Sequence, residues 1–226
     1  MKMTERKFAE SILASLNQLD RDRYLSKRYI ISIGKDIMKA LLVQKLGDRT
    51  LYRESNLYSN IECIELEEID VVKCPIVEFR TCNVVMRSKK PLPELLYSKY
   101  GPAIRMVTNI DTSEEIGRIS LKDYVRNKKR QGYRKTPKYY TDSRGYLYIV
   151  DFEIELVSAE VLTLNSKQAE ECGCGDFDEC KSSLDYEMIG SHKLEMVVVQ
   201  ETLNRILGTY LQIPSDENPD KNRNSM

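Results

Sequence analysis

The chain has 226 residues, with 35 Lys plus Arg against 35 Asp plus Glu, 41% apolar and 31% charged residues. That length buries a real core in one large domain or two small ones, and the charge content suits a soluble globular protein. Zero net charge argues against a general nucleic-acid packaging protein, the lack of any run of about 18 apolar residues excludes a membrane-spanning helix, and "MKMTERKFAE" lacks the apolar segment of a signal peptide.

In chain order, residues 4–19 place Phe8, Ile12, Leu13, Leu16 and Leu19 on one face of a helix, with Thr4 as its N-cap. Residues 27–46 predict a second helix capped by Ser26, with Ile30, Ile33, Ile37 and Leu41 in a stripe beside Met38, Leu42 and Leu46. Lys45 and Gly47 supply stop signals, a cation in the last turn and then a residue tolerant of left-handed φ. A short polar link between the two predicts an antiparallel helical hairpin.

After Asn60 the period changes. "IECIELEEIDVV" alternates through Ile61 and Cys63, then slips to Leu66 and Ile69. "AIRMVTNID" and "EIGRIS" read as short strands around a turn, and "SLKDYVRNKKR" as a short helix capped by Ser120 with Asp123 in support. "KYYTDSRGYLYIV" predicts a hairpin closed through "DSRG", with Tyr146, Tyr148 and Val150 on one face. "FEIELVSAEVLTL" continues as strand on its β-branched content, and the acidic residues 166–190 read mostly as loop. The strongest helix lies at 193–211, where Leu194, Val197, Val198, Leu203, Ile206, Leu207, Tyr210 and Leu211 form a wide stripe behind Ser191 as cap. The tail "PSDENPDKNRNSM" is too polar to build a core.

The predicted class is α+β, a helical core bracketing a strand-rich insert. Its segments are an N-terminal helical part (1–60), the insert (61–165), an acidic cysteine-containing loop (166–192), a C-terminal core helix (193–213) and a polar tail (214–226).

Chemistry is hard to find in this sequence. Neither phosphate-binding glycine motif is present, and the single histidine, His192, leaves little room for a His-based triad. Cys172, Cys174 and Cys180 with His192 are the best metal candidates, since three thiolates and an imidazole can hold zinc tetrahedrally. Their spacing is not the paired C-x-x-C of zinc knuckles, and Glu170, Glu171, Asp176 and Asp178 oppose thiolate formation. The expectation is a solvated loop, no metal, no cofactor and no enzymatic activity. All six cysteines are expected as reduced thiols in the absence of a signal peptide.

Charge is more informative. The stretch "RNKKRQGYRK" carries Arg126, Lys128, Lys129, Arg130, Arg134 and Lys135 with no acid, and the wider window 118–138 holds nine bases against Asp123 alone. "ECIELEEID" is its mirror image, with Glu62, Glu65, Glu67, Glu68 and Asp70, and residues 170–187 add seven acids against one lysine. Three readings stand side by side: a solvated face, a contact with another copy or partner, and phosphate contacts on a nucleic acid with Tyr124 and Tyr133 available for stacking.

Five stretches carry a resemblance to a known family. They are "KFAESILASLN", the long run from "DRYLSKRYIISIGK" to "IECIELEEIDVVKC", "SKKPLPELLYSKYGPAIRMVTNID", "GYLYI" and the end "ETLNRILGTYLQIPSDENPDKN". In this order they resemble the head-to-tail connector ring protein of crAss-like bacteriophages, and none of them is a catalytic signature. The resemblance implies a structural virion protein assembled in the bacterial host cytoplasm, with copies forming a dodecameric ring under the portal that extends the DNA channel toward the tail. It implies a helical core like other phage adaptors. It implies portal protein and other tail or ring proteins as partners, with genomic DNA passing through without sequence-specific binding and no membrane. It favours subunit or partner contact for the basic stretch, leaves the acidic run open as a contact or as a wall of the DNA channel, and adds Pro214, Asp216, Glu217 and Pro219 of the tail as contact candidates. The alternative is a small nucleic-acid-binding protein that uses residues 118–138.

Overall fold

The computed structural model describes residues 3–17, 25–47, 57–130, 136–173, 182–190 and 192–211. Five helices are present among them: α1 (Glu5–Asn17), α2 (Lys27–Gly47), α3 (Leu121–Asn127), α4 (Ser166–Cys172) and α5 (His192–Leu211). Nine strands accompany them: β1 (Ser59–Glu68), β2 (Val85–Ser88), β3 (Tyr97–Ser98), β4 (Gly101–Pro102), β5 (Ile104–Asn109), β6 (Gly117–Arg118), β7 (Lys138–Thr141), β8 (Leu147–Val150) and β9 (Leu156–Val161). Two 3-10 turns, Val71–Lys73 and Val77–Thr81, lie between β1 and β2. No described helix is long and apolar enough to cross a membrane.

The helices start where the sequence supplies caps. The Thr4 hydroxyl accepts from the Lys7 N–H at 3.3 Å, and Ser26 from Tyr29 at 3.2 Å. Ion pairs Lys27–Glu10 (2.7 Å) and Lys35–Glu5 (2.6 Å) run in opposite chain directions, so α1 and α2 are antiparallel as expected. Gly34 makes the approach close, because a Cβ there would sit 2.5 Å from the Phe8 ring. Residues 182–190 tie α1 down from the other side: Glu5 and Arg6 donate backbone bonds to Tyr186 and Leu184, and Met188 donates to Met3.

The sheet has seven strands in the order β5-β9-β1-β2-β8-β7-β6. β1 is shared between its two halves. Ser59–Glu65 pairs with β9, and Leu66–Glu68 pairs with β2. Within the β9 pairing a bulge lies between Ile61 and Ile64, where Cys63 takes φ +54°. The inward set is therefore Ile61, Ile64 and Leu66; Cys63 leaves the alternation that sequence reading gave it. The hairpin β7–β8 closes as expected, with Asp142 Oδ1 accepting from the Arg144 and Tyr146 N–H groups and Gly145 at φ +85°.

The two ends of this order almost meet. After β5 the chain turns back, Ile116 donates to the Val107 carbonyl at 2.8 Å, and Glu115 bridges Thr108. Directly afterwards it becomes β6, which runs parallel to β7. The sheet is thus a nearly closed, barrel-like body in the middle of the chain.

This overturns the expected helical core with an inserted strand region, although the α+β class stands. Apolar burial explains the correction. One cluster lies within the sheet, built on Ile61, Leu66, Val107, Leu147, Ile149 and Val157. A second covers the outer face of β2 and β8, where Val85, Tyr148 and Val150 pack against Phe79, Cys82 and Tyr124. The third joins α1, α2 and α5 through Phe8, Ile12, Ile30, Met38, Leu42 and Val198, and it rests on Leu57, Tyr58, Ala103 and Leu162 at the end of the sheet where β1 begins. The helices therefore close one end of a sheet-built body. Residues 166–172 correct a second expectation, since they form α4 with the Asn165 side chain as its cap.

Candidate subunit interface

The basic stretch is only partly in view. Ser120 caps α3 by accepting from the Asp123 N–H at 3.1 Å, and Tyr124 anchors the helix. The Tyr124 ring meets Phe79 edge-on at 5.4 Å between centroids, and its hydroxyl lies 2.9 Å from Cys82 Sγ and donates to Asp151 Oδ2 at 3.3 Å. Burial pushes that hydroxyl's pKa far up, so it stays protonated. With Tyr124 pinned, the opposite face of α3 is turned to solvent. Lys122, Val125, Arg126, Lys129 and Arg130 are exposed and Lys128 is half-buried. Arg134 and Lys135 lie outside the described residues.

The acidic run sits on β1 and the turn after it, and much of its charge is answered within the chain. Lys89, just after β2, reaches Glu65 at 2.8 Å, Arg87 of β2 pairs with Glu67, and Lys73 lies 3.6 Å from Asp70. The hydrogen bond from Lys89 holds the Glu65 carboxyl below the usual carboxylate range. Asp70 also accepts from the Val72 N–H at 3.0 Å, and Glu62 accepts from Asn60 at 3.1 Å. The run's cross-strand bases are Arg87 of β2 and Lys89 just after it, and neither carries a local signature of that register in the sequence.

The cysteine loop is divided by the limits of description. Cys174 and Cys180 lie outside it, whereas Cys172 ends α4 with its thiol donating to the Pro91 carbonyl at 3.3 Å. Burial pushes the Cys172 thiol pKa up, which favours the protonated form over a metal-binding thiolate. His192 is exposed on the first turn of α5, with Nδ1 3.9 Å from Glu195 Oε2. Among the described residues, no group of three or more His, Cys, Asp or Glu side chains is placed to hold a metal. Cys74, Cys82 and Cys172 are thiols, but Cys63 is in a disulfide, which corrects the expectation of six reduced cysteines. The tail candidates Pro214, Asp216, Glu217 and Pro219 fall outside the described residues.

Sequence reading missed a second surface. Val197 was expected in the buried stripe of α5, yet it is 42% exposed beside Met196 at 54%. With Ile37, Ala40 and Leu41 of α2 it lines an open groove between the two helices. Only the packed structure separates this part of the stripe from Leu194, Val198 and Ile206, which are buried.

The chain is thus an α+β body with much of its polar chemistry committed to caps, turns and cross-strand pairs, with an exposed basic face on α3 and an open apolar groove between α2 and α5. No curated protein matches it. The family described as phage tail ring protein 2 matches residues 7–225, and the chain belongs to that family of crAss-like phage ring proteins. It is a structural protein of the phage tail ring, a component of the virion that assembles with other copies and other tail proteins.

Proposed function

We propose that this protein is a connector ring subunit. Twelve copies form a ring below the portal, other tail or ring proteins dock beneath it, and the genome passes through the central channel without being read. The observation that carries this reading is the family match over residues 7–225, which takes in the helical end, the barrel-like sheet and the tail together. Its role is mechanical, with no catalysis and no cofactor. Assembly takes place in the host cytoplasm. The tail, with Pro214, Asp216, Glu217 and Pro219, reaches along a neighbour or the portal as a tether, losing ordering entropy on binding and gaining local concentration.

Mass photometry and negative-stain imaging of the purified chain, alone and with portal, test the proposal. Twelve copies of a 26.3 kDa chain give a particle of about 316 kDa with a central hole. Removal of residues 214–226 is expected to weaken assembly and leave the subunit's melting temperature unchanged. A truncated chain that docks as well as the full one removes the tail from the interface. A chain that stays monomeric with and without portal overturns the ring.

A further inference from the structure

We propose that the exposed face of α3 of one copy seats in the α2–α5 groove of the next, so that the ring is built head to tail from these two surfaces. This contact deepens the ring reading above and rests on it.

The two surfaces match in shape and charge. On α3, Lys122, Val125 and Arg126 lie at the spacing of one helical face, Lys129 follows in the turn after the helix, and all four are exposed. Val125, at 49% exposure, is an apolar knob with a basic collar. The groove has the complementary character. Its floor is Ile37, Ala40, Leu41 and Val197, and Asp36 and Glu201 stand on its rim together with one cation, Arg205. An isopropyl side chain fills the floor while its flanking bases meet the two carboxylates. Burial supplies the affinity, and the charges set register and on-rate.

Placement makes this a ring contact. The helical end packs on Leu57 and Tyr58, immediately before β1. The cluster beneath α3 includes Ile69 and Val71, immediately after β1. Ten residues of β1 separate them, roughly 30 Å of strand. A closed ring needs two different patches on opposite sides of each subunit, because a self-complementary patch stops at a dimer. The acidic run on β1 is a weaker acceptor for the collar, since Glu65 and Glu67 already hold Lys89 and Arg87.

The test uses the full chain. Val125→Asp disables the knob and leaves a groove; Val197→Asp disables the groove and leaves a knob. Both positions are exposed, and unchanged circular dichroism melts establish that both variants fold. In sedimentation velocity each variant alone is expected to lose the ring and run as monomer. An equimolar mixture is expected to shift to a dimer of about 53 kDa, from two 26.3 kDa chains, and to stop there. Either variant assembling like the parent chain, or a mixture that stays monomeric, overturns the contact while the parent ring stands. A parent chain that itself never assembles overturns the ring reading. Arg126→Glu with Lys129→Glu gives an independent check. Its loss of assembly is expected to be restored in the same chain by Asp36→Lys with Glu201→Lys, and failure to restore counts against the pairing of these charges.

Discussion

Val197 and Val198 are neighbours on α5, yet they are 42% and 0% exposed. The same substitution should therefore have opposite consequences at the two positions. Val198→Asp buries a carboxylate among Phe8, Ile12 and Met38, and no base among the core-forming residues there answers it. It is expected to cost at least ~3 kcal/mol and to unfold the chain or leave it insoluble. Val197→Asp is expected to stay within about 0.5 kcal/mol of the parent by thermal or urea melts. A Val198→Asp chain that melts like the parent would refute the packing of α5. Cys172 allows a pH prediction. Burial raises its thiol pKa, so the reactive thiolate is scarce at neutral pH and appears only above the ordinary thiol range. Alkylation of Cys172 by iodoacetamide at pH 8, followed by mass spectrometry, should be slower than that of a cysteine peptide and should keep rising at higher pH. Zinc bound at one ion per chain, or fast alkylation at pH 7, contradicts this. Sequence placed both valines in one stripe because helical period gives an angle and says nothing of how wide a face the neighbours cover.

Elements were legible where their signals are local. The caps Thr4, Ser26 and Ser120 and the turn at Asp142–Gly145 are all written in a few adjacent residues. The stripe of α2 was placed only in part, since Ile30, Met38, Leu42 and Leu46 are buried whereas Ile37 and Leu41 line the open groove. The sheet was harder to read. All four residues of β8 are buried, because Leu147 and Ile149 face the inner cluster while Tyr148 and Val150 face the outer one, so no apolar–polar alternation survives. The turn joining β5 to the 115–116 segment was legible in Asn109 and Asp111, whose side chains accept from the Glu114 and Ser113 N–H groups, but the parallel pairing of β6 with β7 that follows it has no local signal. Helix α4 escaped notice because its acids and cysteine resemble a solvated loop. Where α1 meets α2, Gly34 supports a prediction at this scale. Helix propensity alone favours alanine there by about 1 kcal/mol. The 2.5 Å approach to the Phe8 ring outweighs it, because two aromatic carbons would have to move within a full core. Gly34→Val is expected to cost about 1–3 kcal/mol by denaturant melts. Adding Phe8→Leu should recover part of that loss relative to the sum of the two single changes; strict additivity would mean that the two positions do not meet.

At the scale of the whole molecule, the neutral chain keeps its charges apart. Three of the five acids of the run, Glu65, Glu67 and Asp70, are answered by Lys89, Arg87 and Lys73 of the same chain, whereas Arg126, Lys129 and Arg130 are exposed on and just after α3. Two partners can meet such bases, a carboxylate-bearing protein surface or the phosphates of a nucleic acid, and they differ in salt dependence. Three phosphate contacts on duplex DNA give a slope near −2.7 in log affinity against log salt, so binding falls about 40-fold between 50 and 200 mM. A patch this small therefore holds duplex only weakly at physiological salt. Changing Arg126, Lys129 and Arg130 together to Glu is expected to abolish ring or portal association in sedimentation velocity. In fluorescence anisotropy the parent chain should bind duplex and single-stranded oligonucleotide at 50 mM salt and lose both at 200 mM. Tight oligonucleotide binding that persists at 200 mM and disappears in the triple variant, with assembly intact, would assign the stretch to nucleic acid. Loss of assembly with no change in a weak, salt-sensitive oligonucleotide signal would assign it to the neighbouring subunit or the portal, since a protein partner can add apolar burial around Val125 that a phosphate backbone cannot offer.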